Sequence, residues 1–99
     1  MRKNTRENIK TVGTWTLQRW NLSTGDHTYV IDTEGHPAAH LYVHSLPDFE
    51  NDRMVHTVAF SPVARTMNLE EAAEYVERAR QALDAATKLQ QALDSAEGN

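Results

Sequence analysis

The sequence predicts an α+β fold, in which a four-stranded antiparallel β-meander is followed by one long C-terminal α-helix. Residues 13–62 hold four segments rich in β-branched and aromatic side chains, with turn signals between them. Residues 69–96 contain neither glycine nor proline and consist mostly of strong helix formers. A chain of 99 residues, 39% of them hydrophobic, has room for one small core. We therefore expect a single domain over residues 13–97, with the sheet in 13–62 and the helix in 69–96.

Short connections between the four predicted strands favour antiparallel pairing of sequential neighbours. Gly25 lies in the first connection, where a residue with positive φ is needed. Pro37 must precede the third strand, because proline cannot donate to a β-ladder. The predicted strands span residues 14–21, 27–32, 38–44 and 53–60.

Alternation along these strands predicts one buried and one outer face of the sheet. Trp15 and Leu17 point to the core, so Trp20 points away from it. In the third strand Leu41 and Val43 are typical of a core face. The outer face then presents a protein-docking surface, since aromatic residues are enriched at interfaces. That predicted surface consists of Trp20, Tyr42 and His44, and the alternative is that residues 1–12 fold over it with Ile9 and Val12 as its cover.

The helix has a well-defined start and an apolar face that runs its whole length. Asn68 and Glu71 have the spacing of a capping box. Twenty-eight helical residues span about 42 Å, whereas a seven-residue strand spans only about 23 Å. We expect the first half of the helix to pack on the sheet and the second half to project beyond it. The projecting side chains would form a homodimer interface, with a bent helix or a different partner as alternatives; they are Leu83, Ala86, Leu89 and Leu93.

Charge is unevenly distributed along the chain, whose overall net charge is −4. Residues 1–13 carry a net charge of +3, and the remainder carries −7. We expect residues 1–12 to form a flexible basic arm. Nucleic-acid binding through this arm is an alternative function, disfavoured because the acidic body would repel phosphate.

The sequence contains five histidines and no cysteine, and it lacks the known phosphate-loop, zinc-protease and nucleophile motifs. We predict no catalytic residue, no metal ligand, no cofactor and no enzymatic activity. One alternative is a histidine-based metal-binding protein or hydrolase built on His40, His44 and His56. It requires the third and fourth strands to pair with residue numbers that sum to 100, so that His44 faces His56. A third ligand would come from His27, His36 or Asp32. A slip of one residue would instead turn His56 towards the core.

The composition and element order resemble those of a known group of proteins. Arginine outnumbers lysine seven to three and alanine occurs twelve times, which is typical of a high-GC genome. A short meander followed by a helix that opens Asn-Leu-Glu-Glu-Ala-Ala is similar to small uncharacterised proteins of actinobacterial phages and plasmids. This resemblance implies a phage- or plasmid-encoded protein that acts on a host protein.

Together these observations predict a non-enzymatic protein-interaction or regulatory module. No stretch is apolar enough to span a membrane and no secretory signal is recognisable, so we expect a cytoplasmic protein. It would act as a homodimer through the C-terminal helix and contact a host protein. The contact would use the outer sheet face or the acidic helix face, which carries Glu70, Glu74 and Glu77.

Overall fold

The computed structural model describes residues 3–35, 39–62 and 65–98, and it confirms the predicted α+β class. In chain order the elements are β1 (Thr5–Val12), β2 (Trp15–Asn21), β3 (His27–Thr33), β4 (Ala39–Asp48), β5 (Arg53–Pro62) and α1 (Leu69–Gly98). The prediction of a four-stranded meander is wrong. The five strands form a three-stranded antiparallel sheet, β1-β2-β3, and a separate two-stranded antiparallel sheet, β4-β5.

The additional strand is β1, which occupies most of the segment that we expected to be a flexible arm. It pairs antiparallel with β2 from Thr5 opposite Asn21 to Val12 opposite Trp15. Gly13 begins the two-residue connection with a φ of 60°, a conformation that glycine adopts without strain. Residues 5–12 are therefore part of the sheet, and the arm prediction is wrong for them.

Polar cross-strand pairs explain why so hydrophilic a segment forms a strand. The guanidinium of Arg19 donates to the Glu7 carboxylate at 3.1 Å, and Gln18 donates to Asn8 at 3.0 Å. The register shifts between Asn8 and Lys10, and this bulge brings Ile9 against the core. A segment that lacks clear hydrophobic alternation is thus held by side-chain pairs and by one inserted apolar residue.

The β4–β5 hairpin is longer than predicted, with two ten-residue strands. Directly opposed residues have numbers that sum to 101, so His44 faces Thr57 and Ser45 faces His56. The predicted sum of 100 is wrong by one residue. Because side chains alternate between faces, this slip turns the half-buried His56 towards the core side of the hairpin.

Helix α1 begins at the predicted cap and packs against both sheets. The backbone N–H of Glu71 donates to the Asn68 side chain at 2.8 Å, and the Asn68 N–H donates back to the Glu71 carboxylate at 3.4 Å. The predicted capping box is confirmed. The inward orientation of Trp15 and Leu17 is also confirmed, because Leu17 is buried and Trp15 packs against the core. The buried core residues are Leu17, Tyr29, Ile31, Leu41, Ala85, Ala86, Leu89 and Leu93.

The half of α1 that projects beyond the sheets is the first half, which is the reverse of our prediction. Ala86, Leu89 and Leu93 are 8%, 0% and 1% exposed, because they form the core with the strands. Leu69 and Val76 are 90% and 54% exposed. Three of the four predicted helix-interface residues are therefore buried within their own chain, and only Leu83, at 57% exposed, keeps a free surface.

Gln90 joins α1 to the edge of β5. The Val58 N–H donates to the Gln90 side-chain oxygen at 2.6 Å, and the Gln90 amide nitrogen lies 3.5 Å from the carbonyl oxygen of His56. A glutamine amide carries both a donor and an acceptor, so it satisfies this stretch of backbone as a neighbouring strand would. This contact sets the position of α1 along the length of β5.

Within residues 3–35, 39–62 and 65–98, no helix combines the length and the apolar character needed to cross a lipid bilayer.

Candidate functional site

A cluster of polar and aromatic side chains lies where the end of α1 meets both sheets. Glu97 of α1 places one carboxylate oxygen 3.0 Å from Nε2 of His27 and 3.4 Å from Nε2 of His56. His27 lies at the start of β3 and His56 lies in β5. One carboxylate thus connects three elements that are far apart in the sequence.

Tyr29 lies between the two histidines and forms the inner wall of this cluster. Its ring contacts His27 and His56 edge-on, with centroid distances of 5.4 and 5.0 Å. The side chain of Tyr29 is buried. Burial, reinforced by the nearby Glu97 carboxylate, raises the pKa of Tyr29 to about 12. The hydroxyl therefore stays protonated at neutral pH.

The pKa of Glu97 is shifted in the opposite direction by its neighbours. Burial of this carboxyl would raise its pKa, but interactions with Tyr29 and His27 and the charge of His56 outweigh that effect. The net result is a pKa below the ordinary value for glutamate. Glu97 is therefore ionised at neutral pH and can hold both histidines.

Ser45, His56 and Glu97 superficially resemble a catalytic triad. The Ser45 hydroxyl lies 2.6 Å from Nδ1 of His56, whose other ring nitrogen faces Glu97. In serine hydrolases the serine instead contacts Nε2, and the carboxylate contacts Nδ1. Two adjoining clefts of about 270 and 700 Å³ are lined by His56 and Glu97, and Ser45 lines neither of them. The contacts of His56 with Ser45 and Glu97 join β4, β5 and α1.

The histidine arrangement differs from the one expected for a metal site. His40 and His44 are exposed on the outer face of β4, and His44 faces Thr57 rather than His56. His36 lies outside the described residues. Across the part of the chain that the structure describes, no three histidine or carboxylate side chains are arranged to hold a metal ion.

The predicted outer surface is divided between the two sheets. Trp20 lies in the three-stranded sheet, where the Arg6 guanidinium stacks 4.3 Å from its ring centroid. Tyr42 and His44 lie on the outer face of the β4–β5 hairpin and are exposed. The prediction placed these three residues on one sheet, whereas the structure divides them between two sheets.

The distal half of the β4–β5 hairpin exposes apolar side chains that sequence analysis missed. Leu46 and Val55 are directly opposed across the two strands, and both are exposed. Phe49 follows in the turn and is 88% exposed. The predicted strands end at residue 44 and resume at residue 53, and the Phe49 ring between them was the signal that could have revealed this surface.

The hairpin turn is ordered on one side and acidic at its tip. The Asn51 side chain donates to Asp48 at 2.7 Å, and Arg53 lies 3.7 Å from the same carboxylate. The hydrogen bond from Asn51 is the main reason that the pKa of Asp48 falls below its ordinary value. Glu50 and Asp52 are exposed beside Phe49. The tip thus combines an aromatic ring with a negatively charged rim.

Comparisons of this chain with protein-family models, with curated proteins and with solved structures find no match.

Proposed function

We propose that this chain is a non-enzymatic protein-interaction module that docks through the outer face and tip of the β4–β5 hairpin. We call this surface the hairpin patch, and it comprises Tyr42, His44, Leu46, Phe49 and Val55. The observation that carries the proposal is the exposure of Phe49, Leu46 and Val55 on an element that extends past the core. Scattered apolar residues are common on protein surfaces, but a contiguous cluster marks a site of association.

Energetics favour a partner for this patch. Burying one large apolar side chain contributes roughly 1.5–3 kcal/mol. Phe49 is almost fully exposed, so its ring adds almost none of this burial energy to the stability of its own chain. An aromatic residue at a hairpin tip can enter a pocket with little loss of conformational freedom, as is typical of binding hot spots.

The negative charge around Phe49 favours a partner with a positively charged surface. Glu50 and Asp52 flank Phe49, and the chain as a whole carries a net charge of −4. The complementary surface is an apolar pocket with a rim of lysine or arginine side chains. The resemblance to phage and plasmid proteins supports a host protein in the cytoplasm as the owner of that pocket.

The test compares capture by immobilised chains from an actinobacterial lysate. The wild-type chain is compared with Phe49→Ser and with the control Leu22→Ser, which also replaces an exposed apolar residue but lies outside the patch. We expect one protein to be retained by the wild type and by the control, lost on Phe49→Ser, and released as salt rises. Binding measured with that purified protein should weaken at least about tenfold in Phe49→Ser, which corresponds to about 1.4 kcal/mol.

Two results would overturn the proposal. One is equal retention of the partner by Phe49→Ser and the wild type. The other is the absence of any protein that distinguishes the wild type from Phe49→Ser. Circular dichroism serves as the folding control for both variants. We expect both to be folded, because the replaced side chains are exposed and contribute little to the core.

A further inference from the structure

We infer that Asp48 is the positioning residue of the hairpin patch, because it holds the turn of the β4–β5 hairpin in one conformation and so presents Phe49 before a partner arrives. The inference rests on the proposed function, in which the Phe49 ring enters a pocket of the partner. The turn comprises residues 49–52, between the last residue of β4 and the first residue of β5. Asp48 acts through the backbone of this turn rather than through contact with the partner.

The Asp48 carboxylate forms hydrogen bonds across the turn with both of its oxygen atoms. One oxygen accepts from the side-chain amide of Asn51 at 2.7 Å, and the other accepts from the backbone N–H of Asn51 at 3.4 Å. Arg53 is directly opposed to Asp48 across the hairpin, and its Nε lies 3.7 Å from the first of these oxygens. Phe49 and Glu50 therefore lie within a loop that these hydrogen bonds close.

The surroundings of the Asp48 carboxyl agree with this role. The side chain is only 25% exposed, although it lies at the end of a projecting hairpin. Its pKa lies below the ordinary value for aspartate, chiefly because the hydrogen bond from the Asn51 side chain favours the ionised form. Glu50, the next acid along the turn, is exposed. The two acids thus carry the same charge at the tip but differ in their contacts.

The Phe49 ring depends on the turn for its direction. It is almost fully exposed, so packing within its own chain does not hold it. Asp52, the last residue of the turn, has a φ of 49°, in the left-handed region. Glycine adopts this conformation more easily, but it would give the unbound turn more conformations to lose on binding. The turn contains neither glycine nor proline, and the hydrogen bonds of Asp48 therefore set its conformation.

A positioning role and a contact role have different kinetic signatures. A partner binds only the fraction of molecules in which the turn is formed, so the association rate falls in proportion to that fraction. Removal of a side chain that touches the partner acts mainly on the dissociation rate instead. We therefore expect Asp48→Ala to slow association, whereas Phe49→Ser should speed dissociation.

The first measurement uses the free chain, so its result does not depend on any partner. Backbone amide order parameters of residues 49–52 are measured by NMR relaxation in the wild type, in Asp48→Ala and in the control Glu50→Ala. The control removes the same charge from the same tip but leaves the hydrogen bonds of Asp48 in place. We expect values of about 0.85 in the wild type and the control, and below about 0.6 in Asp48→Ala. Values in the strands should be equal in all three chains, which serves as the folding control.

The second measurement follows binding of the protein retained in the capture experiment to immobilised chains by surface plasmon resonance. Asp48→Ala and Glu50→Ala each lose one negative charge, so the electrostatic part of the association rate falls similarly in both. We expect Asp48→Ala to associate at least about tenfold more slowly than Glu50→Ala, with dissociation rates that agree within about twofold.

The outcomes separate this inference from the proposed function. Order parameters below about 0.6 in the wild-type turn, or equal values in Asp48→Ala and Glu50→Ala, would overturn the inference. Equal association rates of these two variants would also overturn it and would leave the proposed function intact. Equal binding by Phe49→Ser and the wild type would overturn the proposed function and the inference with it.

Discussion

Replacing Leu89 by alanine should destabilise the fold far more than the same replacement at Leu83, six residues earlier on the helix. Leu89 is 0% exposed and packs in the core, whereas Leu83 is 57% exposed. Deleting a fully buried leucine side chain costs about 2–5 kcal/mol, since the cavity adds to the lost burial. At Leu83 more than half of the side chain is already in water, so we expect less than about 1 kcal/mol.

The assay is urea unfolding followed by circular dichroism and by tryptophan fluorescence. Domains of this size have a free energy of unfolding of about 5–15 kcal/mol and m-values of about 1–3 kcal/mol per M. Leu89→Ala should therefore lower the unfolding midpoint by about 1–3 M, and Leu83→Ala should barely change it. Equal midpoints for the two variants, or a larger loss at Leu83, would refute the packing described for α1.

Two further predictions concern the contacts that tie α1 to the strands. Gln90→Ala removes the acceptor of the Val58 N–H, which should cost about 1–3 kcal/mol and speed amide exchange at Val58. Gln91→Ala, at the exposed neighbouring position, should leave that exchange rate unchanged, and equal rates in the two variants would contradict the contact. The pKa of Glu97 is lower in the folded chain than the ordinary pKa of glutamate, so ionised Glu97 stabilises the folded state at neutral pH. This contribution is lost as the pH falls from the ordinary pKa of glutamate through the lowered pKa of Glu97. Glu97→Gln should therefore flatten the pH dependence of unfolding in the acid range, and an unchanged slope would count against this role for Glu97.

Features that depend on residues close together in the sequence were predicted correctly. The capping box of Asn68 and Glu71 depends on two residues three positions apart, and the structure contains it. The inward orientation of Leu17 follows from alternation within one strand, and that also holds. Strand β1 was missed because side-chain pairs with β2, such as Glu7 with Arg19, stabilise it. The two-residue connection at Gly13 was the available signal for a hairpin there.

Features that depend on contacts between distant parts of the sequence could not be predicted, because local patterns of residues do not determine those contacts. The one-residue slip between β4 and β5 depends on the geometry of their turn, in which Asp52 adopts a φ of 49°. Both halves of α1 carry leucine and alanine on one face, so periodicity shows that the helix has an apolar side without showing which half the sheets cover. That choice depends on Gln90 and Glu97, whose contacts in β5 and β3 lie 32 to 70 residues away in the sequence.

The side chain of Gln90 has a consequence beyond stability. An edge strand with free backbone groups can recruit strands from other molecules and so start aggregation. At Val58 and His56 the amide of Gln90 occupies the place that a foreign strand would take. Chains that lose this amide should form insoluble fibres more readily than the wild type, even under conditions where both remain folded.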